Sequence, residues 1–164
     1  VQEGLITSEP QKGKHVRQMT GKEIYDSYVV AGILEGAGVA ESLPLWTEAN
    51  METFRSVVRQ MEGKISYATK LDELAEIDEL FHAPLFMACD NTRLVEMART
   101  SCATISKYLY YQHWITMFTP REYADRHHAV AEAVYSRDVK HVETALRDHY
   151  KETGLRMAQF GKEA

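Results

Sequence analysis

From Thr20 onward, apolar residues recur at helical spacing in one block after another, with caps and breakers between the blocks. Thr20 with Glu23 three residues on is a capping box, and Ile24, Tyr28, Ala31, Leu34 and Ala37 follow it as one stripe. A first helix is predicted to about Ser42, where Pro44 breaks it. Thr47 or Asn50 restarts the pattern through Phe54, Val57, Val58, Met61 and Ile65. A third helix runs from about Leu71 to Ala88 on the stripe Leu74, Ile77, Phe81 and Leu85. A long fourth one, capped by Asp90 or Asn91, carries Leu94, Val95, Ala98, Cys102, Ile105 and Leu109. Thr119-Pro120-Arg121-Glu122 opens a fifth helix with an N-cap, a first-turn proline and a capping-box glutamate, ahead of Tyr123, His127, Val130, Ala131 and Val134. Asp138 caps a sixth, with the stripe Val139, Val142, Ala145, Leu146 and His149, a bend expected at Gly154, and a weak continuation from Leu155 to Phe160. The pattern predicts an all-α protein, an antiparallel helical bundle of about six helices.

Residues 1–18 follow a different rule. Gly4 fits a helix terminator, and the tract from Pro10 to Gly13 separates two short segments that pair as a β-hairpin with Lys12, Lys14 and Arg17 along its tip and edge. A segment this short also fits a solvated hairpin or an unstructured tail.

Composition narrows the class. With 45% apolar and 26% charged residues, a 164-residue chain fills one core, or one domain and a piece of another. The net charge of −5 excludes a surface that coats nucleic acid along its whole length and leaves room for a local basic patch. Cys89 and Cys102 stand in no metal or redox spacing, and no signal segment opens the chain, so a reducing cytoplasm is expected. The longest apolar runs, Tyr28 to Leu34 and Ala83 to Cys89, fall well short of the roughly 20 residues that span a bilayer, so no membrane segment is expected.

The candidate chemistry lies on the inward stripes. Asp78 and His82, four residues apart, fall within the apolar stripe of the third helix. Burying an ionised carboxylate costs several kcal/mol unless a cation or hydrogen-bond donors compensate, so the pair needs partners from elsewhere in the chain. The fifth helix offers His127 on its stripe, with His128 about 100° round the helix, and the sixth offers His149. Three imidazoles and one carboxylate suit a divalent metal, zinc or nickel first and also manganese or iron, with positions left for water or an anionic ligand. Any one inward histidine alone reads as a hydrogen-bonded core residue; four such groups on facing helices fit a metal site as well as they fit core residues each with its own buried partner. His15, His113, His128 and His141 show no such pattern and are expected at the surface.

These residues also carry a family resemblance. Glu23-Ile24-Tyr25 with Leu34-Glu35, Asp78-Glu79-Leu80-Phe81-His82 followed by Asn91 and Leu94, His127 through Val134, Asp138, and Arg147-Asp148-His149 resemble the GntR-type bacterial transcription regulators of the FadR group, specifically their C-terminal helical effector domain, the FCD domain. The likeness covers almost all of residues 20 to 155, and the 22 residues from His127 to His149 agree with the family pattern. It implies that Asp78, His82, His127 and His149 bind one metal, which helps to hold a small organic acid effector in the bundle of a homodimer. Glu3-Gly4-Leu5-Ile6 and Pro10 through Val16 then look like the end of a winged helix-turn-helix domain, its wing hairpin in residues 1–18 and the effector domain in 19–164. On that reading the chain is a truncated regulator without its recognition helix, and Lys12, Gly13, Lys14 and Arg17 are DNA-contacting candidates for an operator. Asn91 is a candidate for the effector pocket, although a helix-cap role accounts for it as well.

Two departures from the family stand out. Many relatives carry an arginine near the position of Ala31, and Ser136-Arg137 replaces a commoner glycine turn. The implied function is a ligand-responsive transcription regulator and not an enzyme. The alternatives are a helical-bundle metalloenzyme with a three-histidine site, for which no general base is evident because Glu79 and Glu132 fall off the inward stripes, and a purely structural dimerisation module.

Overall fold

The computed structural model describes residues 6–9 and 13–163. Strands β1 (Ile6–Glu9) and β2 (Gly13–Val16) form the expected antiparallel hairpin, with Ile6 opposite Val16 and Glu9 opposite Gly13. Gly13 has φ +87°, a backbone conformation that glycine adopts without a Cβ penalty.

Seven α-helices follow, and the cap residues place five of them as expected, α4 (Thr92–Ser101) on Asn91 among them. Helix α1 (Gly21–Ser42) starts on the Thr20–Glu23 capping box, and α2 (Glu48–Ile65) starts on Thr47 with Asn50 answering it. Helices α6 (Pro120–Ser136) and α7 (Val139–Ala158) start on Thr119 and Asp138. Each cap satisfies amide groups that the first turn leaves without a helical acceptor.

Between Leu71 and Met117 the expectation is corrected in two places. The third helix is only α3 (Ala75–His82), flanked by 3-10 turns at Leu71–Leu74 and Ala83–Phe86, because Pro84 has no amide to continue the ladder. The long fourth helix is split into α4 (Thr92–Ser101), a π-helical segment Thr104–Leu109 and α5 (Tyr111–Met117). Its stripe continues through the break, since Ile105 stays buried and Leu109 half-buried, so the hydrophobic period alone carries no sign of the interruption.

A further correction concerns Gly154, which lies inside an unbroken α7. A Cβ there would sit 2.7 Å from Tyr28 Cβ, and one at Gly32 would sit 2.9 Å from Tyr150 Cβ and 3.2 Å from Arg147 Cα. These two glycines allow α1 and α7 to approach closely rather than marking a bend.

The larger core lies among α2, α3, α6 and α7, around Phe54, Phe81, Met61, Val134 and Leu146. A smaller one joins Met19, Ile24, Tyr28, Ile105 and Met157, and the Tyr110 hydroxyl closes it by bonding both the amide and the carbonyl of Met19. By length and composition Gly21–Leu45 is apolar enough to cross a membrane, yet half of its most apolar window is buried in this fold. It is a core helix here.

Candidate metal centre

Three helices bring the three predicted imidazoles together: His82 at the end of α3, His127 in the middle of α6 and His149 in α7. Their potential ligand atoms all lie within 4.8 Å of one another, and the ring centroids are 5.5 Å (His82 to His127), 5.3 Å (His82 to His149) and 4.8 Å (His127 to His149) apart. Asp78 joins them from the turn before His82, its Oδ1 3.3 Å from His127 Nε2.

Two of the rings are aimed by the contact at their other side. His127 Nδ1 donates to the carbonyl of Tyr123, one turn earlier in its own helix, at 2.8 Å, which leaves Nε2 as the inward atom. His82 Nδ1 lies 2.6 Å from Glu35 Oε1, which frees its Nε2 in the same way. The other Glu35 oxygen accepts from the Tyr150 hydroxyl at 2.6 Å. Two buried nitrogens of the cluster are left without a hydrogen bond, His127 Nε2 and His149 Nδ1. A buried polar atom without a partner is costly, and two of them beside a carboxylate fit a shell that awaits a cation.

The electrostatics agree. Burial lowers the pKa of His127, and it lowers that of His149 well below the ordinary histidine value with help from the neighbouring His127 and His82. Burial would raise Asp78, but the His127 and His82 imidazoles outweigh it and hold its carboxyl below the usual range. Neutral imidazoles and an ionised carboxylate are the forms that ligate a metal. His82 differs: burial works against its charge, yet the Glu35 carboxylate pushes it up to about 9, so a metal would displace a proton there. The donor set of three imidazole nitrogens and one carboxylate oxygen therefore fits a divalent ion.

The cluster faces a cavity of about 230 Å³ between α1, α3, α4, the π-helical segment, α6 and α7. Its polar lining includes Arg99, Lys107 and Arg126, and its apolar lining includes Phe86, Ala98 and Trp114. The thiol of Cys102 also faces it, and burial pushes that pKa up to about 12, so the thiol is inert as a thiolate donor at neutral pH.

The other predicted residues lie elsewhere. Asn91 is exposed, accepts from the amide of Leu94 at 3.1 Å as the N-cap of α4, and is not among the residues lining the cavity. Gly13 and Lys14 are on β2, Arg17 pairs with Glu23 at 3.1 Å, and Lys12 lies outside the described residues. His128 points away from the cluster toward Glu62, 3.2 Å from it.

Sequence reasoning assigned no role to Glu35 or Tyr150. Glu35 is 3% exposed and one turn beyond Ala31 on the buried face of α1, so the argument that singled out Asp78, an acid on an apolar face, applies to it equally. Tyr123 was read only as part of the inward stripe, and its buried hydroxyl faces the Asp78 carboxylate without closing a well-formed hydrogen bond.

The FCD domain family profile matches residues 26–152, and the chain belongs to this family. It is 24% identical over 163 residues to the HTH-type transcriptional repressor RspR of Escherichia coli K12, covering 98% of this chain and 69% of that protein. Among solved structures it is similar to a GntR family transcriptional regulator from Pseudomonas syringae pv. tomato (TM-score 0.69, 19% identity, 97% of this chain and 66% of that one). It is also similar to McbR/YncC of E. coli (TM-score 0.76, 14% identity, 97% of this chain and 75% of that one). At these identities the structural likeness speaks for the fold, and the chain spans about two thirds of the length of the first two of these relatives.

Proposed function

We propose that this FCD domain is the sensing part of a GntR-type transcription regulator of the FadR group. It binds a divalent metal through Asp78, His82, His127 and His149, and a small carboxylate effector beside it. The observation that carries this reading is the convergence of three imidazoles, two with buried nitrogens that make no hydrogen bond, beside Asp78 on the wall of a cavity. When bound, the ion supplies a Lewis-acidic anchor for an anion. The chain's own residues do the rest: the Tyr123 carbonyl and Glu35 aim two of the rings, and Phe86, Ala98 and Trp114 supply apolar wall beside the effector.

Residues 1–18 are read as the end of the winged helix domain and 19–164 as the effector and dimerisation domain. Lys12, Gly13, Lys14 and Arg17 then lie toward the operator in a cytoplasmic homodimer. An effector shifts operator binding only by the difference in its affinity for the competent and incompetent arrangements. Catalysis finds little support, since Glu79 is tied to Lys107 and Glu35 to His82 and Tyr150, which leaves neither free as a general base.

Metal content measured by elemental analysis tests the site. Wild type and His128→Ala are expected to carry about one divalent ion per chain, and His127→Ala is expected to carry none, because only His127 faces the cluster. Equal metal in the two variants overturns the site and the sensor reading built on it.

A further inference from the structure

The cavity's three cations are not equivalent. Arg126 is half-buried and fully engaged: it donates to the His149 carbonyl and to Thr153 Oγ1, both at 2.6 Å, pairs with Glu152, and lies 4.3 Å from the centre of the Phe118 ring. Lys107 is held by Glu79 at 2.8 Å. Arg99, on α4, makes no hydrogen bond or ion pair among the described residues, and its guanidinium lies 6.0 Å from the centre of the Phe86 ring.

The acids of the cavity are equally committed. Glu35 is bound by His82 and Tyr150, Glu79 by Lys107, and Asp78 stands against His127. An incoming anion therefore meets one uncommitted guanidinium at the α4 side and the imidazole cluster at the other. Position 31 of α1 is a fully buried alanine and offers no charge of its own. Phe86 and Ala98 supply apolar wall, which suits a hydrocarbon spacer between two charged ends. The volume of about 230 Å³ lies below the roughly 300–1,000 Å³ of pockets for drug-sized ligands, which suits a short acid.

We infer that Arg99 is the second anchor of the effector, and that the effector is a short dicarboxylic acid with one carboxylate at the histidine cluster and the other on Arg99. A planar guanidinium accepts a carboxylate through two parallel hydrogen bonds, which neither a second neutral donor nor water reproduces. This inference rests on the metal reading above.

The test is calorimetric titration of the zinc-loaded domain with acetate, malonate, succinate and glutarate, repeated on Arg99→Gln and on chelator-treated protein. Circular dichroism and zinc content serve to verify that the variant is folded and loaded. At least one diacid is expected to bind ten-fold or more tightly than acetate. Arg99→Gln is expected to reduce that diacid to the acetate level while leaving acetate unchanged. Diacids no tighter than acetate, or an Arg99→Gln variant that keeps the diacid advantage, overturn the second anchor even where acetate binding needs zinc. Acid binding that is indifferent to zinc, or absent altogether, overturns the metal reading and this inference with it.

Discussion

Two regions of the bundle are built on different principles, and the candidate site lies where they meet. Helices α1, α6 and α7 are 22, 17 and 20 residues long, each begins on a side-chain cap, and α1 and α7 touch through glycines. The stretch from Leu71 to Met117 is instead α3, α4 and α5, of 8, 10 and 7 residues, joined by 3-10 and π-helical turns. The long helices form a frame and the broken ones a wall. The frame supplies His127 and His149, and the wall supplies Asp78 and His82. At this point the bond from Glu35 in the frame to His82 in the wall and the approach of Asp78 to His127 tie the two together. A site divided in this way gives its ligand mechanical leverage: whatever binds there joins a segment of short helices to a frame of long ones.

The largest expected effect comes from taking metal away. A ligand present at 100 times its dissociation constant stabilises the folded state by about 2.7 kcal/mol, so chelation is expected to lower stability by that order in wild type and not at all in His127→Ala. Hydrogen exchange locates the loss: residues 71–117 are expected to lose protection and the middle of α1 and α7 to keep it. Protection lost equally from both regions would show that frame and wall are a single cooperative unit.

Next in size is a change inside the frame. An alanine in place of a mid-helix glycine ordinarily gains up to about 1 kcal/mol. At Gly32 the added Cβ meets Tyr150 Cβ at 2.9 Å, Arg147 Cα at 3.2 Å and the Leu146 carbonyl at 3.3 Å, two of them backbone atoms that cannot rotate away. Gly32→Ala is therefore expected to destabilise, by about 2 kcal/mol, as overpacking of a tight contact does. The urea midpoint measures it, and an unchanged or higher midpoint would mean that α1 and α7 slide apart freely and are no frame.

The same contrast explains what was legible in the residue pattern. Caps are local chemistry, so Thr20, Thr47, Thr119 and Asp138 marked the frame and α2 to within a residue. His127 and His149 were placed by period because α6 and α7 are regular. The break between α4 and α5 left no mark, since Ile105 and Leu109 keep the apolar stripe across a π-helical segment, whereas Pro84 marked the end of α3. Asp78 and His82 were still placed correctly relative to each other, because four residues make one turn even in a helix as short as α3. Glu35 was passed over because the stripe was drawn through Leu34 and Ala37, which are only half-buried, whereas the face that packs is Tyr28, Ala31, Glu35 and Gly38. Glycines set that face by permitting close approach, and a hydrophobic count gives them little weight.

The smallest effect tests the one strained point of the frame, the turn between α6 and α7. Arg137 has φ +56°, the only positive φ on a non-glycine among the described residues, at the C-terminal end of α6 where glycine is the usual occupant. Left-handed backbone costs a residue with a Cβ roughly 1–2 kcal/mol, so Arg137→Gly relieves strain. It also removes the guanidinium bonds to the Trp46 carbonyl at 3.2 Å and to Glu48 at 3.3 Å, which tie this turn to the start of α2. Both partners of the ion pair are largely exposed, and such pairs contribute about 0–1 kcal/mol, while glycine frees the unfolded chain by a further few tenths. The opposing terms leave a net change within about 0.5 kcal/mol of zero. Thermal unfolding of Arg137→Gly beside Arg137→Asn separates them, because asparagine tolerates the left-handed region without glycine's entropy. A loss above about 1 kcal/mol in both variants would make the α2 contacts, and not the backbone, the reason that an arginine occupies this turn.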